Sequence, residues 1–120
     1  LLDWVARIMF SAFFLMSGFN HLAQHKAMTA YAQSKKVPAA GLAVAVTGLM
    51  MLAGGVMIVT RWHPDVGAGL LVAFLVPTAF IMHNFWTVSD PMMRMNEQIH
   101  FWKDLTLAAG ALLYLVMLQR

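Results

Sequence analysis

The residues with the greatest capacity for chemistry in this chain are polar groups set in long apolar stretches: Asn20-His21, His83-Asn84, and the trio His100, Lys103 and Asp104. Histidine and aspartate exchange protons near neutral pH, while lysine and asparagine donate hydrogen bonds to carbonyl oxygens. Asp104 is the leading candidate. A carboxylate near the centre of a bilayer costs about 2.5–3.5 kcal/mol unless it faces protein and finds partners, whereas Lys103 can reach the headgroups on its flexible stem. His100, four residues earlier, shares a helix face with Asp104 and is its expected local partner, with His21, His83 or the two asparagines as candidates across the bundle. On this reading Asp104 and His100 handle protons, and His21, Asn20, His83, Asn84 and Lys103 bind a ligand. The competing reading makes the same cluster a hydrogen-bonded lock between helices.

The elements that must position these residues follow from composition. Of 120 residues, 61% are hydrophobic and 11% charged, against about 45–50% and roughly 25% in soluble domains. That excludes an ordinary cytosolic domain and points to a lipid bilayer as solvent. The net charge of +3 is spread along the chain, so no nucleic-acid patch is expected. Cysteine is absent, which removes disulfides, thiolate metal sites and cysteine-ligated iron–sulfur clusters. In lipid every backbone polar group must be satisfied within its own segment, so helices of about 20 residues are the expected spanning unit.

Long charge-free intervals mark them: residues 8–25, 37–60 and 66–89. The last interval, 105–119, is only 15 residues long, about 22 Å of helix against a hydrocarbon core of about 30 Å, so the fourth span must begin earlier and take in His100, Lys103 and Asp104. The expected fold is all-α, a single domain of four antiparallel transmembrane helices at about 4–23, 39–61, 66–86 and 98–118. Both termini then share one face, side A. Trp4 and Trp62 mark side A and Trp86 and Trp102 mark side B, as interfacial tryptophans do. The segment 24–38 reads as a long polar connection on side B, and Trp62–Asp65 as a tight side-A turn stopped by Pro64. Lys26, Lys35, Lys36 and Arg94 outnumber Arg61 and Arg120, so the positive-inside count favours side B as cytoplasmic. The first span resembles a signal peptide only superficially, given Asp3 at its front, and is read as retained.

Other patterns have simpler readings. Gly41, Ala45, Gly48, Leu52 and Gly55 form a smooth seam on the second helix, suited to close helix packing. Asp3 and Arg7, four apart, suit a local ion pair. Pro77 is expected to kink the third helix. Glu97-x-x-His100 has the spacing of a carboxylate-bridged metal site, but a four-helix di-iron centre needs more inward carboxylates than this chain offers. No metal site is assigned. Haem or chlorin ligation by His21 and His83 is likewise disfavoured, because interfacial histidines more often hydrogen-bond a neighbour.

Taken together, Ser17-Gly18-x-x-His21-Leu22, Gly54-Gly55, His83-x-Phe85-Trp86 and Phe101-x-Lys103-Asp104-Leu105 resemble the DoxX family of small four-helix membrane proteins over nearly the whole chain. One position departs from it: many members carry an acidic residue three positions before the glycine pair, where this chain has Met51. The resemblance implies a multi-pass protein of the cytoplasmic membrane, in some members a subunit of a thiosulfate:quinone oxidoreductase and in others an associate of redox enzymes. The expectation is therefore a quinone-associated redox subunit, with His21 and Lys103 donating to quinone oxygens and electrons supplied by other membrane or redox subunits. The alternative is a non-enzymatic accessory or anchoring subunit of a larger membrane complex. A small-metabolite carrier is disfavoured, because four short helices leave little room for alternating access.

Overall fold

The computed structural model describes residues 1–119. Five helices follow in chain order: α1 (Leu2–Ala23), α2 (His25–Ser34), α3 (Ala40–Thr60), α4 (Pro64–Met82) and α5 (Pro91–Leu118), with a 3₁₀ turn at Phe85–Thr87. Four stretches are long and apolar enough to cross a membrane: α1, α3, α4 continued through the 3₁₀ turn, and α5. The chain is an all-α, multi-pass membrane protein, as its composition requires.

α3 is the central element because its glycines let two neighbours approach at backbone distance. On one flank, a Cβ added to Gly48 would lie 2.8 Å from His21 Cβ, and one added to Gly18 would lie 2.8 Å from the Gly48 carbonyl. Gly55 faces Leu15 and the Ser11 carbonyl in the same seam. On the other flank, a Cβ on Gly54 would meet the Gly67 carbonyl at 2.9 Å, and one on Gly67 would meet Met57 Cβ at 2.7 Å. The expected small-residue seam is thus the α1–α3 interface, and Gly54 with Gly67 builds a second between α3 and α4. α5 packs on α4, so the bundle runs α1–α3–α4–α5. Where α5 returns towards α1, Phe10, Phe13 and Phe14 fill the space. Phe14 is fully buried in a core with Met51, Leu71, Leu75, Ala108 and Ala111. Met51 is 1% exposed there, so this position is filled by apolar packing.

The side-A ends are tied by charge. Arg7 is buried, pairs with Asp3 through Nη2 at 3.0 Å, donates from Nη1 to the Val59 carbonyl at 2.6 Å, and stacks on Trp4. Arg61 also pairs with Asp3. The expected local ion pair therefore extends from α1 to the end of α3. The turn between α3 and α4 is as tight as the sequence suggests, with Arg61 and His63 in left-handed conformations around Trp62, and Pro64 opening the next helix. All four tryptophans are exposed, two at each end.

Three boundaries differ from expectation, each for a local reason. The connection 24–38 contains α2, whose Ala32 packs with Ala40 and Val44 of α3 and whose His25 Nε2 donates to the Gly41 carbonyl at 2.7 Å. The third span leaves helical geometry at His83, before residue 86, so that the 3₁₀ turn can place Trp86 edge-on against Phe101. α5 starts at Pro91 instead of 98, because Asp90 accepts from the Met93 N–H and Pro91 occupies the first turn. At 28 residues α5 is about 42 Å long, so its first two turns rise beyond the hydrocarbon on side B. Pro77 lies inside α4, which continues through it to Met82.

The glycine seams predict a sharp positional contrast. Gly54→Ala should lower the unfolding free energy in detergent by about 1–3 kcal/mol through overpacking. Gly69→Ala, where an added Cβ meets nothing within 4 Å, should change it by less than about 0.5 kcal/mol. Comparable losses in thermal melts of the two variants would show that α3 and α4 do not meet at these glycines.

Candidate functional site

On side B, α2, the His83–Asn84 break, the 3₁₀ turn and the first half of α5 enclose an open polar pocket of about 1080 Å³. Its walls carry Tyr31 and Lys35 from α2, His83 and Asn84, and Glu97, His100 and Lys103 from α5. The helical break at His83 matters here: freed from α4, His83 turns its two ring nitrogens towards two carboxylates. Nε2 lies 3.5 Å from Asp104 Oδ2 and Nδ1 lies 3.6 Å from Glu97 Oε1. Both distances allow attraction, but Nδ1 is buried and makes no hydrogen bond. His100 stacks on His83 with ring centroids 5.1 Å apart.

Asp104 is buried and lies behind His83 and Lys103, since it is not itself part of the pocket wall. Its neighbours are His83 and, at 3.7 Å, the Lys103 ammonium. This corrects the expectation that His100 is its partner: His100 Nδ1 accepts from Lys103 at 3.2 Å instead. Sequence spacing along one helix favoured His100, but the unwound His83 arrives from the next element and takes the contact. Lys103 also sits over the Phe13 ring at 5.3 Å, joining the α5 cluster to α1.

Glu97 forms the pocket's second anionic centre. Tyr31 donates to its carboxylate at 3.0 Å, and the Lys35 ammonium lies 3.2 Å away while donating to Asn84 Oδ1 at 2.9 Å. Tyr31 and Lys35 were not among the sequence candidates, because α2 was read as a loop. The signal was present, since His25, Met28, Thr29 and Ala32 recur at helical spacing between polar residues. Among the described residues no group of three or more His, Asp or Glu side chains is placed to hold a metal ion.

The other two candidates lie elsewhere. His21 donates from Nδ1 to the Ser17 carbonyl at 2.9 Å and faces Phe74 of α4. It lines a different, mainly apolar cavity of about 230 Å³ between α2, α3 and α4. His21 and Asp104 therefore do not share a pocket, contrary to the expectation from equal depth. Depth along the membrane normal does not fix the angle around the bundle, and α1, seated on α3 at Gly18 and Gly48, puts His21 on the cavity lined by α2, α3 and α4. Asn20 is half-buried beside it and lines neither cavity.

The sequence model of the DoxX family matches residues 2–84. The chain belongs to the DoxX family. The matched region takes in α1 to α4 and both His21 and His83, while Glu97, His100, Lys103 and Asp104 lie beyond it on α5. A curated relative of this DoxX protein, the inner membrane protein YphA of Escherichia coli (strain K12), is 27% identical over 109 residues, 91% of this chain and 77% of YphA. No solved structure matches the chain.

Two outcomes test this geometry. Asp104→Ala should lower detergent stability by about 1–3 kcal/mol and by more than Lys103→Ala, because it strands the half-buried His83 whereas Lys103 is more solvated. A larger loss for Lys103 in thermal melts would reverse the assignment. Burial, followed by the hydrogen bond and negative charge of Glu97, pushes the Tyr31 phenol above its ordinary range. A raised folded-state value means that this tether stabilises the fold below the free tyrosine value of about 10 and is lost as pH climbs through the folded one. In a Tyr114→Phe background, tyrosinate absorbance should report Tyr31 titrating above free tyrosine, and Glu97→Gln should bring it down. An unchanged midpoint in Glu97→Gln would show that Tyr31 and Glu97 are not joined.

Proposed function

We propose that this DoxX protein is a quinone-associated subunit of the cytoplasmic membrane, with the side-B pocket as the headgroup site. The observation that carries the reading is the ring of hydrogen-bond donors above a buried carboxylate. Lys103, Asn84 and His83 all line the pocket, each carries a group able to donate a hydrogen bond, and quinone oxygens are acceptors. The residues present therefore fit a quinone headgroup. Such a group, when bound, supplies an acceptor of two electrons and two protons.

The chain's own residues have separable tasks in this scheme. Lys103 and Asn84 bind and orient through fixed donors. His83 stands between Asp104 and Glu97 and can pass a proton from one carboxylate towards the other, with His100 stacked against it to hold the ring plane. Asp104, out of contact with the pocket, holds a proton at a carboxyl oxygen without obstructing the ligand. Electrons come from a partner subunit, since this chain has no cysteine for an iron–sulfur centre. The similarity to YphA, an inner membrane protein, supports the location.

The accessory-subunit reading rests on a different observation: both carboxylates already face partners, Glu97 facing Tyr31 and Lys35 and Asp104 facing His83 and Lys103. A completed network locks helices without any ligand. Titration of a short-chain quinone analogue into the purified protein decides between them. Binding should weaken about tenfold or more in Lys103→Ala, the loss expected of one charged hydrogen bond. The Lys103→Ala, Asn84→Ala double variant should lose less than the sum of its parts. Absence of binding to the wild type would leave the accessory reading.

A further inference from the structure

The second cavity has a chemistry of its own. It is bounded by His21, by Met28 of α2, by Thr47 and Met50 of α3, and by Ala73 and Phe74 of α4, and it opens on the flank where Pro77 and Ile81 are exposed. The His21 tautomer is set by its neighbour. Nδ1 faces the Ser17 carbonyl at 2.9 Å, and a carbonyl only accepts, so in the neutral imidazole Nδ1 carries the proton and Nε2 is an acceptor. No protein donor meets Nε2 among the described residues.

The other polar groups of this cavity are Thr47, Thr78 and a main-chain carbonyl, and the Thr78 hydroxyl can donate or accept. Thr47 spends its hydroxyl proton on the Ala43 carbonyl at 2.7 Å, which leaves its oxygen lone pairs free. Pro77 has no N–H to give to the carbonyl of Ala73, four residues before it, so that carbonyl loses its usual helical partner. The cavity has no charged wall residue. Its apolar lining is suited to a ring: Met28 and Met50 offer thioethers, which favour aromatic edges, and the His21 and Phe74 rings already meet edge to face with centroids 6.0 Å apart.

We infer that this cavity is a binding site for a lipid-soluble phenol, whose aromatic body lies among the methionines and Phe74 and whose hydroxyl donates to His21 Nε2. A donor on an apolar ring complements His21 Nε2, the Thr47 oxygen and the Ala73 carbonyl, whereas an anion or a carbonyl compound would leave Nε2 unpaired. The site is a separate cavity from the polar pocket, and the inference does not rest on the quinone reading of that pocket.

The test uses naphthol and its methyl ether, which share a ring system but differ in the donor, measured by equilibrium dialysis of the detergent-solubilised full chain against empty micelles. Naphthol should bind about threefold to tenfold more tightly than the ether, the range of one neutral hydrogen bond. His21→Phe should abolish that preference, Ala43→Leu should fill the cavity and abolish both, and Lys103→Ala in the polar pocket should change neither. With nitrogen-labelled histidine in the wild-type protein, naphthol and not the ether should shift the His21 Nε2 resonance, which needs no variant to fold. Equal binding of the two compounds, binding of neither, a preference that survives His21→Phe, an effect confined to Lys103→Ala, or an unmoved Nε2 resonance would each overturn the assignment.

Discussion

The architecture depends on backbone-to-backbone approach at two glycine contacts, Gly18 with Gly48 and Gly54 with Gly67. In lipid there is little hydrophobic gain from pairing apolar helices, so close van der Waals contact is what holds them, and only small residues permit it. α3 has such a contact on each flank and therefore draws α1 and α4 against itself. α5 is left to pack on α4, and its distance from α1 is taken up by three phenylalanines. Both cavities, the polar pocket and the apolar one, depend on this asymmetry. A symmetric four-helix square would have brought α1 and α5 together and placed His21 beside Asp104.

Charge is handled differently at the two ends of the bundle. On side A, the buried Arg7 is satisfied by Asp3 and a main-chain carbonyl, a closed arrangement with little capacity left over. On side B, two carboxylates meet two lysines and a pair of stacked histidines, with distances of 3.5–3.7 Å at His83 and Asp104 that fall short of good hydrogen bonds. Loosely satisfied polar groups in a low-dielectric setting are responsive to an added ligand or proton in a way that a closed pair is not. This difference, more than the number of polar residues, is the ground for proposing the ligand site at side B.

The spans, the tryptophan belts, the α1–α3 seam and the Asp3–Arg7 pair were legible in the sequence because each rests on local periodicity or on the bilayer's length requirement. Asp104 was legible for the same reason: a short charge-free interval forces it into a span. Which of its candidate partners it would meet, the local His100 or His83 across the bundle, was not. His83 reaches Asp104 only because α4 unwinds one residue earlier, a tertiary event driven by the packing of Trp86 on Phe101. α2 was obscured by its polarity, since an interfacial helix keeps one wet face and lacks the long apolar run that announces a span. The start of α5 was obscured by reading Asp90-Pro91 as a loop when it is also a strong helix opening.

α2 then explains why two sites of opposite chemistry can lie side by side. Tyr31 and Lys35, four residues apart, form one stripe of this helix and face the polar pocket, while Met28 and Ala32, also four apart, form the next and face the apolar cavity. Met82 and His83 divide in the same way on the opposite wall. A ten-residue helix is too short to persist by itself, so its order comes from its fastenings: His25 to the Gly41 carbonyl, Tyr31 to Glu97 and the Met82 carbonyl, and Lys35 to Asn84 and Glu97. Two of those three fastenings involve residues of the polar pocket. The wall of the apolar cavity is thus held in place from the polar side, and the integrity of the two cavities is joined through Glu97.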